Sequence, residues 1–140
     1  MNLSGRTAEA TLQVYSPGTA ETAPLSPDAG FPAVLPISRL VALMELAAAR
    51  LMRAALGDGE SSVALEMNLT HAAPKAVQGL VRAVATYRGF AGRMHRFTVH
   101  AFDETGLIAS AEHTRAVVVE RQLVGLARRR VGRRSMQLNV

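Results

Sequence analysis

The run L-V-A-L-M-E-L-A-A-A-R-L-M, Leu40 to Met52, constrains the fold more than any other stretch of this chain. Apolar spacing predicts a helix over about Ser38 to Leu56, with Ser38 as N-cap and Gly57-Asp58-Gly59 as its stop. At about 100° per residue, Arg39, Arg50 and Arg53 fall on one narrow stripe, and nearly everything else on the helix is apolar. Such a helix must have most of its surface covered. The material available to cover it is strand.

A first strand is expected over Ala8 to Tyr15, followed by a long irregular loop, Ser16 to Pro32, rich in Pro, Gly, Ser, Thr and Ala. Loops of that length in a compact domain are often functional. Four strands are expected after the helix, over about Ser62 to Ala72, Ala76 to Arg88, Arg93 to Asp103 and Leu107 to Glu120. Gly89 to Gly92 supplies one turn and Asp103-Glu104-Thr105-Gly106 another. A short amphipathic helix, Arg121 to about Arg130, ends the pattern. The fold class is therefore α+β, one long helix wrapped by an antiparallel sheet of about five strands. The 140 residues make one domain, with 1–7 and 131–140 expected as flexible tails.

Composition narrows the chemistry. There is no cysteine, which excludes disulfides, thiolate metal sites and a cysteine nucleophile. With six aromatic residues in all, the core must be built from Ala, Val, Leu and Met. The apolar stretch Val34 to Met52 contains Arg39, Glu45 and Arg50, too many charges for a membrane span. No signal-peptide pattern opens the chain, so a soluble, cytoplasmic protein without membrane association is expected. Net charge is +5, and Arg121, Arg128, Arg129, Arg130, Arg133 and Arg134 crowd the end. That basic end can attract nucleic acid or phosphorylated ligands, but no aromatics are interleaved for base stacking, so nucleic acid is not the expected partner.

Two ionisable residues sit where apolar ones are expected. Glu45 lies mid-helix with Val41, Ala42, Ala48 and Ala49 one turn away and no arginine at helical pairing distance. A carboxylate there needs a partner or a wet cavity, and burial would raise its proton affinity toward that of a general base. In E-M-N-L-T-H-A-A-P, strand alternation puts His71 on the face of Val63, Leu65, Met67 and Leu69, with Glu66, Asn68 and Thr70 on the other. Each residue alone reads as a buried ion pair or a hydrogen-bonded core group; together they read as a site. His95, His100 and His113 read as strand residues, His100 and His113 facing one another across the last hairpin, with no third metal ligand at suitable spacing.

V-L-P-I-S-R-L-V-A-L-M-E-L-A, S-V-A-L-E-M-N-L-T-H-A-A-P and A-F-D-E-T-G-L-I-A-S-A-E-H-T-R-A-V-V-V resemble the corresponding segments of hotdog-fold thioesterases of the fluoroacetyl-CoA thioesterase type. The resemblance extends over about Ala8 to Ala127, and the spacing of 26 between Glu45 and His71 matches the family pattern. It implies a hotdog fold and metal-free cleavage of coenzyme A thioesters, with no cofactor beyond the coenzyme A moiety of the substrate. It also implies a Thr, Glu and His set at a cleft associated with a homodimer; tetramers occur in the family too. Carried over, the Glu is Glu45 and the His is His71. The Thr position is Ile37, which has no hydroxyl; Ser38 is the neighbouring hydroxyl. A glycine that the family often carries is Ala64. Asn68 belongs to the Asn-x-x-His motif, and Arg39, Arg82, Arg93 and Lys75 are candidates for the phosphates of coenzyme A.

The expected site therefore has Glu45, His71 and Ser38 as catalytic groups and Ile37, Arg39, Ala64 and Asn68 against the substrate. Glu45 activates water or attacks the carbonyl directly, His71 holds the water or protonates the sulfur, and N–H groups at the helix start, Ser38 to Leu40, form the oxyanion site. The alternative is a non-catalytic acyl-CoA or small-ligand binder on the same fold, which Ile37 favours.

Overall fold

The computed structural model describes residues 3–14, 30, 32–76 and 78–138, with side chains described as far as residue 133. The elements are β1 (Thr7–Val14), α1 (Ile37–Met52), a 3-10 turn (Arg53–Ala55), β2 (Glu60–His71), β3 (Gly79–Ala91), β4 (Met94–Asp103), β5 (Gly106–Val119) and α2 (Glu120–Leu138). The five strands form one antiparallel sheet in the order β1-β3-β4-β5-β2. The hairpins β3–β4 and β4–β5 are adjacent, while β1 and β2, on either side of α1 in sequence, lie at opposite edges. The expected loop Ser16 to Pro32 falls almost wholly outside the described residues.

The helix is covered as its composition demands. Leu40, Leu43, Met44, Ala47, Ala48, Leu51 and Met52 are buried against the inner face of the sheet. That face is built of small residues along its middle: Ala10 pairs Ala83, Ala83 pairs Ala101, and Ala101 pairs Ala109. A lane of alanines leaves space for the larger helix side chains Leu40 and Met44, so bulky and short positions interdigitate. Phe97 and Tyr87, edge to face at 5.4 Å between ring centres, fill the other end.

Several boundaries differ from the sequence reading. Ser38 is not the N-cap: Pro36 holds that position, without a side-chain cap bond, and Ile37 is the first helical residue. Proline fixes its own φ and starts the helix without needing a donor. The chain is folded further toward both ends than expected. Leu3 is buried in the core, the Gly5 N–H donates to Tyr87 O, and α2 runs to Leu138.

The consequential difference is in β2. Ala64 pairs with Arg115 and Glu66 with Thr114, so Leu65 is a β-bulge. One extra residue reverses the alternation that follows. Met67, Leu69 and His71 keep the inner face, opposite His113, Ala111 and Ala109. Before the bulge the inner residues are Ser62 and Ala64, opposite Val117 and Arg115, so Val63 is on the outer face and Leu65 stands 50% exposed. His100 pairs Ser110 while His113 pairs Phe97, so these histidines point to opposite faces and do not meet.

Candidate active site

The N-terminus of α1 is held in place from below. The Leu35 N–H donates to Lys75 O at 2.8 Å, and Val34 bridges to Ala76. Lys75, the single lysine, is itself buried and stretches its Nζ to Glu104 Oε1 in the β4–β5 turn at 2.7 Å. The turn is rigid on its own account. Asp103 Oδ1 accepts from Thr105 N, Thr105 Oγ1 and Gly106 N, and Gly106 takes a φ of 140° that a side chain would resist. Lys75 is thus spent on structure, and it is no free cation for a phosphate.

This clamp lays the strap before α1 over the end of β2 and makes a pocket of about 300 Å³. Its walls are Pro32, Val34, Leu35, Pro36, Ile37, Ser38 and His71. Three expected site residues, Ile37, Ser38 and His71, therefore do come together. The pocket is apolar apart from the Ser38 hydroxyl and the imidazole. His71 Nε2 is buried and has no hydrogen-bond partner among the described residues. A buried polar atom without a partner is costly, and it calls for a ligand or a water. In the same wall, the Arg39 N–H is taken by Pro36 O at 3.1 Å. The donors left to face a ligand are the Ile37 and Ser38 N–H groups, which have no carbonyl one turn back within the helix. The expected set of Ser38 to Leu40 is thus replaced by Ile37 and Ser38, because Pro36 rather than Ser38 holds the N-cap.

Glu45 lies two turns further along α1 and is not in that pocket. Its side chain is 42% exposed, and Oε1 is 3.5 Å from Arg115 Nη1. Arg115 is 3% exposed and held on three sides. Nε donates to Ser62 Oγ at 2.9 Å, Nη2 to Ser62 O at 2.8 Å, and Nη1 lies 3.3 Å from His113 Nε2. Burial pulls the Arg115 guanidinium below its ordinary value, and the Glu45 carboxylate works against that shift. His113 is also lowered, first by burial and then by the charge of Arg115, against the hydrogen bond to Glu66 O and the Glu45 charge. Among the described residues Glu45 and His71 share no hydrogen bond: Glu45 is 42% exposed, while His71 Nε2 is buried in the pocket wall.

Sequence reasoning missed Arg115 and His113, and with them the partner that makes Glu45 tolerable. The His-x-Arg of β5 was the available signal: alternation places both on the inner face, where an arginine demands an acceptor. Asn68 pairs Glu112 on the outer face and lines a shallow polar cleft with Thr70, Thr98, His100 and Ser110, across the sheet from His71. Ala64 sits beside Arg115 on the inner face. Arg82 is engaged by Glu9 at 2.9 Å and covers the Phe102 ring. Among the described residues no group of three His, Asp or Glu side chains is arranged to hold a metal ion. No helix among them is long and apolar enough to cross a membrane.

The chain is similar in fold and sequence to known proteins over most of its length. A Thermus thermophilus thioesterase superfamily member superposes with a TM-score of 0.85 over 95% of this chain and 96% of its own, at 22% identity, which speaks for the hotdog fold. The crystal structure of the fluoroacetyl-CoA-specific thioesterase FlK superposes at 0.82 over 92% and 96%, at 30% identity. The fluoroacetyl-CoA thioesterase of Streptantibioticus cattleyicolor is 36% identical over 96 residues, 68% of this chain and 69% of that protein. The family model for fluoroacetyl-CoA-specific thioesterases matches residues 19–121, and this chain, with its helix-bearing glutamate and strand-ending histidine, belongs to that family.

Proposed function

We propose that the protein hydrolyses an acyl thioester of coenzyme A without a cofactor, with Glu45 and His71 as its catalytic groups. The observation that carries this reading is His71 Nε2, buried and without a partner among the described residues, in an apolar pocket that opens at a helix N-terminus. An acyl chain fits the apolar walls. A thioester carbonyl beside the Ile37 and Ser38 N–H groups has its developing negative charge met by backbone donors and the positive end of the α1 dipole. His71 then hydrogen-bonds the attacking water or passes a proton to the departing sulfur. Glu45 of the same chain lies outside this pocket, so in this reading the Glu45 carboxylate of a second copy takes the proton of that water, or attacks the carbonyl to give an anhydride as the thiolate leaves.

Two copies complete the site in this reading. β2 is an edge strand with an unpaired side. Beside it Leu46 and Leu65 are exposed, and Glu45 is half open. A second copy pairing its own β2 along this edge covers those residues and sets the Glu45 and His71 of both chains along one seam. A homodimer is therefore the proposed unit, within a cytoplasmic, cofactor-free hydrolase.

Ile37 favours a second reading, a binder without turnover. It is 49% exposed and occupies the pocket wall where the family pattern carries a hydroxyl. The decisive assay is thiol release from acetyl-, hexanoyl- and benzoyl-CoA by the purified protein and by Glu45→Ala and His71→Ala. Turnover lost in both folded variants establishes the hydrolase; saturable binding without turnover in the wild type establishes the binder.

A further inference from the structure

Among the inward-facing side chains of β5, His113 and Arg115 are buried ionisable groups, and neither lines the pocket. His113 is 1% exposed, between Phe97 and Arg115. Its two nitrogens are both engaged, and the partners settle which one carries the proton. Arginine has only N–H donors and no acceptor. Nε2, 3.3 Å from Arg115 Nη1, must therefore accept, and it carries the lone pair. Nδ1 carries the hydrogen and donates to Glu66 O at 2.7 Å. That carbonyl lies immediately after the Leu65 bulge, where the β2–β5 ladder is interrupted.

We propose that His113 is a positioning residue, a neutral imidazole strung between the Glu66 carbonyl and the Arg115 guanidinium that fixes where Arg115 presents its charge to Glu45. The proposal rests on the reading of Glu45 as the catalytic carboxylate. The other two sides of the guanidinium are held by Ser62, through Oγ and the carbonyl. Without the imidazole, Nη1 keeps only Glu45 as acceptor, at 3.5 Å, and the guanidinium is held on the sheet side by Ser62 alone. A neutral acceptor is what the position requires. A carboxylate at 113 would form its own ion pair with Arg115 and draw the charge away from Glu45. An imidazolium would set N–H against N–H. Burial and the neighbouring Arg115 charge both keep the ring neutral.

The bulge has a place in this arrangement. It returns Ser62 and Ala64 to the inner face beside Arg115 and brings the Glu66 carbonyl within reach of His113 Nδ1. One inserted residue thus supplies the anchor of both side chains.

The test is a cycle of His113→Phe, Arg115→Met and the double variant, with Glu45→Ala alongside. Each is assayed for kcat and KM on whichever of acetyl-, hexanoyl- or benzoyl-CoA the wild type turns over fastest. His113→Phe keeps the ring volume against Phe97 and removes both hydrogen bonds. The expected result is a kcat about tenfold lower with KM within about twofold, and no further loss when His113→Phe is added to Arg115→Met. A kcat unchanged in His113→Phe, or losses that multiply in the double variant, overturns the proposal while leaving Glu45 in place. Full turnover in Glu45→Ala instead removes the functional reading on which it rests. A second readout needs no turnover. In nitrogen-15 spectra at pH 7, His113 is expected as the neutral Nδ1–H tautomer, and the Arg115 Nε–H as slow to exchange. That exchange should be at least about tenfold faster in His113→Phe. An Nε2–H tautomer, or an Arg115 Nε–H equally protected in the variant, overturns the proposal even if some variants are poorly active or unstable.

Discussion

Ile37 occupies the first helical position of α1 and half of its surface is open to the pocket, so a change there alters pocket chemistry with little effect on packing. Ile37→Thr is expected to raise kcat on small acyl groups about tenfold, since it returns a hydroxyl beside the carbonyl site, and to weaken longer acyl chains. Steady-state kinetics on acetyl- and hexanoyl-CoA check this. Arg115 is the opposite case. Arg115→Met leaves Ser62 and His113 without their buried partner and Glu45 without its counter-charge, and it is expected to lower kcat and thermal stability together. His113 adds a pH dependence. Its proton affinity in the fold is below the ordinary value of 6.5, so the unfolded chain binds more protons as pH drops past that value. The stability from its neutral burial is complete above about pH 6.5 and is lost as pH falls toward the folded-state value. His95, lowered by burial where it meets Tyr87, contributes a loss of the same sign. The thermal midpoint is expected to fall between pH 7.5 and 5, and less steeply in His113→Phe; differential scanning at five pH values reads it.

α1 is the element whose composition and environment agree throughout, and its buried positions carry the core. Leu40 is fully buried in the first turn of the helix. Leu40→Ala is expected to cost about 2–5 kcal/mol in urea unfolding, because the closely packed sheet face cannot collapse into the space. β2 shows the reverse relation, an element whose pattern alone misplaces half its side chains. Strict alternation assigned Val63 and Leu65 to the core; the bulge turns them outward and draws Ser62 inward. Serine and alanine at 62 and 64 are the residues that fit beside a buried guanidinium. Only Val63 and Leu65 turn apolar side chains outward; beyond the bulge the outer face carries Glu66, Asn68 and Thr70.

At the scale of the whole molecule, the exposed β2 edge with Leu46 and Leu65 is the surface proposed for the homodimer seam. On that proposal, wild type is expected as a dimer in sedimentation velocity, and Leu65→Glu as a monomer without turnover at the same concentration. A variant that is monomeric and fully active would dismiss the seam as the site. α2 leaves β5 with its described arginines and Leu123, Val124, Leu126 and Val131 exposed. It is tied at its start, where Glu120 N donates to Gly59 O at 3.0 Å and Ser61 Oγ to the Glu120 carboxylate.

The sequence by itself determined the architecture. An almost wholly apolar helix has to be wrapped, and strand periodicity with well-marked turns leaves few ways to wrap it. Glu45 and His71 were legible for the same reason, since a charge or an imidazole at a position that periodicity assigns to the interior stands out locally. The partners of those residues belong to the tertiary structure. Arg115 is 70 residues from Glu45 in the chain, and its position beside Ser62 depends on a one-residue bulge that no local propensity reports. The pocket likewise needs Lys75 to pin a strap from before the helix to a strand end after it. Local periodicity records which residues must be buried; which of them meet is set by register and by contacts between distant segments, whose energies appear only once the chain has closed.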